Sequence, residues 1–247
     1  PCVSLGIFSF THLKVRRPLF LILWPCGLAM LVAPIGPVSR QSPWRSNCAI
    51  QLRQIGLALQ HYHDRYGSFP PAYVPDAAGK PMHSWRVLIL PYLGHKRLYA
   101  RYNFNEPWNG PNNRLLAKGI AEIFRCPSDD PAKPAETSYV AVVGPRTLWP
   151  GDASIAYDDI PDSPEDTVLV IEMADSGIHW MEPRDLDASA LKLAPTRGQA
   201  GDIDSGHPGG PQALMADCSV RTISRNTNEQ SLEALFTRDD GKPTDSP

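Results

Sequence analysis

Between Pro18 and Val38 the chain runs for 21 residues, PLFLILWPCGLAMLVAPIGPV, without a charged side chain. At about 1.5 Å per residue, a helix of that length crosses a hydrocarbon core of about 30 Å, so the chain beyond Val38 is built behind a membrane anchor or an export signal. Lys14, Arg16 and Arg17 precede the run, and Arg40 and Arg45 come after it. The positive-inside rule then favours a cytoplasmic N-terminus and a body outside. Pro25 and Pro34 interrupt the run, and membrane helices tolerate proline where neighbouring groups satisfy the freed carbonyls, so a kinked single-pass anchor is expected. A cleaved secretory signal shares this order of basic and apolar regions. The run is longer than an ordinary signal core, and small residues suited to cleavage occur only near Ala33 to Gly36. Either layout exports residues 40–247.

Charge divides the chain in the same place. The first 63 residues carry six basic side chains and no acid, whereas the rest carries 18 basic and 26 acidic residues. An acidic body repels phosphate backbones, which argues against a nucleic-acid partner. With 42% hydrophobic residues the chain can bury a core, and its 26 prolines cut short any long helix beyond the first third.

From Ser46 to Tyr66 the residues Cys48, Leu52, Ile55, Leu59, Tyr62 and Tyr66 recur at spacings of four and three, one face of an amphipathic helix. Gly67, Pro70 and Pro71 end it. A stripe of fewer than three heptads packs on a sheet of its own domain more readily than in a coiled coil. SWRVLILPYL (84–93) reads as a short helical turn, and TSYVAVVG (137–144), TVLVIEMA (167–174), QALMAD (212–217) and SVRTIS (219–224) read as strands bounded by Pro, Gly or Asp. Glu229 to Phe236 reads as a last short helix. The expected fold class is α+β: a membrane-spanning segment, then an amphipathic helix covering one face of an antiparallel sheet, with long Pro- and Trp-rich loops.

Several strings agree, in order, with one bacterial family: CAIQLRQIGLALQHYHDRYGSFPPAYV (48–74), SWRVLILPYL, NEPWNGPNNRLL (105–116), FRCPSD (124–129), TSYVAVVGP (137–145), HWMEPRDL (179–186) and HPGGPQALMADCSVRTIS (207–224). Over residues 46–240 the chain resembles the domain of unknown function 1559 family, many of whose members look like pilins or pseudopilins. The resemblance implies a helix emerging from the membrane and a globular head that ends near a motif of His, nine residues and Asp-Gly. His207 and Asp217 stand at that spacing, but Cys218 replaces the glycine. A cysteine is strained where a tight hairpin needs positive φ. The prepilin signature of Gly-Phe followed by a glutamate is missing, since no acid precedes Asp64, and DIPDSPEDT (159–167) lacks the Gly and Asn of the family loop before its strand. The implied organisation is a basic segment at 1–17, an anchor at 18–38, a linker at 39–45, a pilin-like domain at 46–240 and a flexible tail at 241–247.

No two of the five cysteines, Cys2, Cys26, Cys48, Cys126 and Cys218, lie two to four residues apart, so the spacing speaks against zinc. Cys48 and Cys126 belong to family-like motifs, and in an oxidising compartment they would bridge the helix base to the middle of the head; two small buried hydrophobes is the alternative. Asp202, Asp204, His207 and Asp217, with Asp158, Asp159, Glu172 and Asp175, offer oxygen ligands for calcium, but DIDSGH (202–207) has its Gly one place early and no closing glutamate, so solvated loop acids are the expectation. We expect no metal site, no cofactor and no catalytic residue. His207 and Asp217 are expected to be architectural, His207 satisfying a backbone group where a strand begins and Asp217 bonding turn amides. Trp85, Trp108, Trp149 and Trp180 are expected to pack loops onto the sheet. The resulting expectation is a non-enzymatic structural or interaction protein with its head outside the cytoplasm. Its partners would be the membrane, through residues 18–38, and proteins of a secretion or surface assembly. The alternative is an anchored glycan-binding or glycan-cleaving protein using Trp and carboxylate loops, where Glu172–Asp175 and Glu182–Asp185 are the acid pairs and Trp180 lies beside Glu182.

Overall fold

The computed structural model describes residues 41–117, 121–191, 203, 205–207 and 209–239. The run at 18–38 expected as an anchor, the segment at 241–247 expected as a tail, Cys2, Cys26, Asp202 and Asp204 lie outside them. Among the described residues no helix is long and apolar enough to cross a membrane.

Helix α1 spans Gln41–Tyr66. It begins five residues before Ser46, the start expected from the sequence, so residues 41–45, expected as linker, are helical; Pro43 sits in the first turn, where a backbone donor has no intrahelical partner. Gly67, at φ +79°, closes the helix by donating its N–H to His63 O at 2.7 Å. Cys48, Leu52, Ile55 and Leu59 are completely buried. Tyr66, the last residue of the stripe, is 61% exposed.

After α1 come the hairpin β1 (Tyr73–Pro75) and β2 (Pro81–Ser84) and the short helices α2 (Trp85–Leu88) and α3 (Lys96–Tyr99). Next are β3 (Tyr139–Val140), β4 (Val142–Val143), β5 (Val168–Glu172), β6 (Leu186–Asp187), β7 (Gln212–Met215), β8 (Val220–Thr222) and α4 (Glu229–Phe236). The main sheet is antiparallel, in the order β3-β5-β7-β8. The segment expected as one strand at 137–144 divides between two sheets, because β4 leaves β3 to pair parallel with β6.

Alternation along these strands feeds two cores rather than one. Tyr139, Ala141, Leu214 and Ala216 face the α1 side, while Val140, Val142, Ala213 and Met215 face a second cluster closed by Leu232 and Phe236 of α4. The sheet is thus covered on both faces. In β5 the alternation breaks: Val168 and Ile171 point to the second core, and Leu169 and Val170 both join the first. A register shift between Val168 and Val170 accounts for this, since a bulged residue turns two successive side chains to one face. Trp149 Nε1 donates to Leu169 O at 2.6 Å. Gly56 lets α1 approach closely, since a Cβ there would lie 2.8 Å from Leu214 Cδ1.

One buried ion pair fastens the loops to the sheet. Arg86 of α2 meets Asp185 at 2.5 Å, both side chains almost wholly buried. The Arg86 guanidinium also donates to Tyr139 O through Nε and Nη2, and Asp185 accepts from Ala141 N at 2.8 Å and Trp85 Nε1 at 3.2 Å. Every strong hydrogen-bonding position of the pair is engaged, which is the condition for a buried pair to persist.

Candidate functional site: a buried cysteine, histidine and glutamate cluster

Four side chains from separate segments converge against the α1 face. Cys48 comes from the second turn of α1, Cys126 from the FRCPSD loop, Glu172 from the end of β5 and His207 from the segment before β7. All four are buried, and their ligand atoms lie within 4.8 Å of one another. Cys48 and Cys126 are joined as a disulfide with a Cα–Cα distance of 5.4 Å.

His207 Nε2 lies 3.2 Å from Glu172 Oε1, 3.3 Å from Cys126 Sγ and 3.4 Å from Cys48 Sγ. The other carboxylate oxygen of Glu172 accepts the Gln212 N–H at 3.1 Å, tying β5 to β7. His207 N–H donates to Ser205 Oγ at 3.3 Å, and Arg225 Nη2 donates to the carbonyls of Ser205 and His207. The His207 imidazole thus engages a carboxylate and two sulfurs through Nε2. The single acid of the apolar run TVLVIEMA was the available signal, because a carboxylate in a fully buried strand needs a partner.

Beside this cluster, Ser138 Oγ accepts the Cys126 N–H at 2.7 Å and donates to Asp129 Oδ2. Burial pushes the Asp129 carboxyl up from 3.8 to about 6, with the Glu172 charge acting the same way and the Ser138 hydrogen bond and Arg125 opposing it. Tyr139, buried against the same acids, is raised well above the ordinary phenol value, chiefly by desolvation.

The other residues singled out from the sequence lie apart. Asp217 sits in the β7–β8 turn and accepts from Ser219 N at 2.8 Å. Asp158 and Asp159 belong to a single turn of 3-10 helix at Tyr157–Asp159, and Asp175 pairs with Lys133 at 3.0 Å. Of the described members of the calcium set only Glu172 and His207 meet. At HWMEPRDL, the stretch considered for a glycan groove, a cavity of about 230 Å³ is lined by Pro183, Arg184 and Asp185 and by no tryptophan. Trp180 is completely buried and stacked on Phe124, Asp185 is held by Arg86, and Glu182 pairs with Arg184. Trp85 and Trp149 are buried too, their ring centroids 5.1 Å apart. A cavity of about 380 Å³ between α4 and the loop at Gly144–Thr147 contains Glu229, Glu233 and Phe236 and no tryptophan.

The fold and the cluster define a class: an α+β head in which one long helix lies on an antiparallel sheet and is cross-linked to the loop that precedes it. The model of the family described as protein of unknown function (DUF1559) matches residues 39–191, more than half of the chain, and the chain belongs to that family. His207 and Asp217 lie beyond the matched residues. No curated protein and no solved structure matches the chain.

Proposed function

We propose that this protein is a membrane-anchored, extracytoplasmic structural or interaction protein with a pilin-like head, held by residues 18–38 and presented to protein partners of a secretion or surface assembly. The observation that carries this reading is the order of elements. An uncharged run of 21 residues is followed, after a two-residue step, by a 26-residue helix whose apolar face lies on the sheet. Such an order suits a head that follows an anchor in the chain. The buried state of Trp85, Trp149 and Trp180 supports a packing role for these rings over a sugar-binding one. The acidic body supports partners other than nucleic acid.

The test is fractionation of the expressed full-length chain with external protease. The expected result is a product that stays with membranes through carbonate extraction and whose head is digested in spheroplasts while cytoplasmic markers survive. A shortened soluble product, or a head protected until the membrane is opened, overturns the proposal.

A further inference from the structure

The cluster around His207 has the composition of a metal site as well as that of a cross-link. Thiolate, imidazole and carboxylate are the three ligand types that zinc accepts, and four of them in a closed set suit a structural rather than a catalytic ion. With metal–ligand distances of about 2.0–2.3 Å, tetrahedral donors stand roughly 3.3–3.8 Å apart. His207 Nε2 already lies 3.2, 3.3 and 3.4 Å from the Glu172 oxygen and the two sulfurs. The imidazole therefore occupies one corner with its distances to the other three nearly set; the two sulfurs must separate, and the Glu172 oxygen, within 4.8 Å of both, must settle at the same spacing from them. The carboxylate is oriented by the Gln212 amide on its second oxygen, the kind of outer contact that fixes a ligand. The Arg225 guanidinium, bonded to the Ser205 and His207 carbonyls, places a positive charge beside a site that would carry two thiolates and a carboxylate.

We propose that, with its cysteines reduced, this chain binds one divalent cation of the zinc class through Cys48 Sγ, Cys126 Sγ, His207 Nε2 and Glu172 Oε1. The same four side chains then close the head by a disulfide under oxidising conditions and by a metal under reducing ones. The interconversion balances: a dithiol reductant gives two electrons and two protons to the bridge and closes to its own disulfide, and the two thiols formed each release a proton as the cation binds. This inference does not depend on the membrane anchor, and its test does not read localisation.

The full chain is unfolded, reduced with a dithiol, and refolded without oxygen with or without Co²⁺. The expected result is one Co²⁺ per chain, with thiolate-to-cobalt charge transfer in the near ultraviolet and the intense visible bands of tetrahedral cobalt, displaced by equimolar Zn²⁺. Alkylation mapped by peptide mass should show Cys48 and Cys126 protected by Zn²⁺ and Cys218 unprotected. His207→Ala and Glu172→Gln should each weaken the cation by about tenfold or more. Absence of the charge-transfer band in folded, reduced wild-type chain overturns the proposal, as does alkylation of Cys48 and Cys126 at the same rate with and without Zn²⁺. Both of these readouts use the unmutated chain, so misfolding of a variant leaves them decisive.

Discussion

At the scale of single residues, the β7–β8 turn shows what replacing glycine by cysteine does. Cys218 has φ +67°, its N–H donates to Met215 O at 3.0 Å, and Met215 N–H donates to Ser219 O at 2.9 Å. This is a three-residue loop with a left-handed third position. Of the two residues Asp217 and Cys218, only the second needs positive φ, so an Asp-Gly pair would suit the loop without a mirror-image turn. The left-handed conformation costs a non-glycine residue about 1–2 kcal/mol, partly offset by the larger unfolded-state entropy of glycine. Cys218→Gly should therefore stabilise the head by about 0.5–1 kcal/mol, seen as a midpoint rise of roughly 2–3 °C, while Cys218→Ala gains nothing. Equal midpoints for all three proteins would contradict this account. Asp129 sets a second prediction. Its carboxyl is raised to about 6 in the folded state, so the folded chain holds the proton more tightly than the unfolded one. Stability should fall as pH rises from about 4 to about 6 and then level off. Allowing for partial exposure, the change is on the order of 1–2 kcal/mol. Asp129→Asn should remove that part of the slope, and denaturation curves for the two proteins that run parallel across this window would rule it out.

At the scale of elements, one contact between the chain before β7 and the end of β8 is set by backbone alone. Gly210 has φ +119°, and a Cβ there would lie 2.0 Å from Ile223 O, which no rotamer change relieves. Gly210→Ala should cost about 3 kcal/mol or more. Gly177, at φ +62° with nothing within 4 Å, is the control: Gly177→Ala should cost only about 1–2 kcal/mol. Urea midpoints distinguish them, and equal losses would mean that φ, not the close approach, governs both. The same elements show what the sequence makes legible. The stripe from Cys48 to Tyr62, the apolar runs of β5 and β7 and the short helix at Glu229 to Phe236 each carry their signal locally, and they fold as read. The start of α1 at Gln41 was not readable, because residues 41–47 contribute nothing to the stripe. Strands β1, β2 and β6 have two to four residues, too few to display alternation. The cluster was invisible for a different reason. His207 and Cys48 are 159 residues apart, and a search for closely spaced ligands tests only sites built from one local segment.

At the scale of the molecule, the Cys48–Cys126 bridge joins the helix to the loop that precedes the sheet across 78 residues. Both cysteines lie in the core on the α1 side. Its main effect falls on the unfolded chain: closing a loop of that length removes conformational entropy worth about 4 kcal/mol in the loop-closure model, an upper figure where the unfolded state keeps some structure. The double variant Cys48→Ala, Cys126→Ala, which leaves no unpaired thiol at the site, should accordingly lose about 3–4 kcal/mol in metal-free urea denaturation. A second signature separates cross-linking from simple loss of packing. Without the bridge the unfolded chain expands and exposes more surface, so the dependence of stability on urea should steepen as the midpoint falls. A lowered midpoint with an unchanged slope would assign the loss to the missing sulfur contacts in the folded state, and an unchanged midpoint would show that the helix is held to the sheet by its apolar face alone.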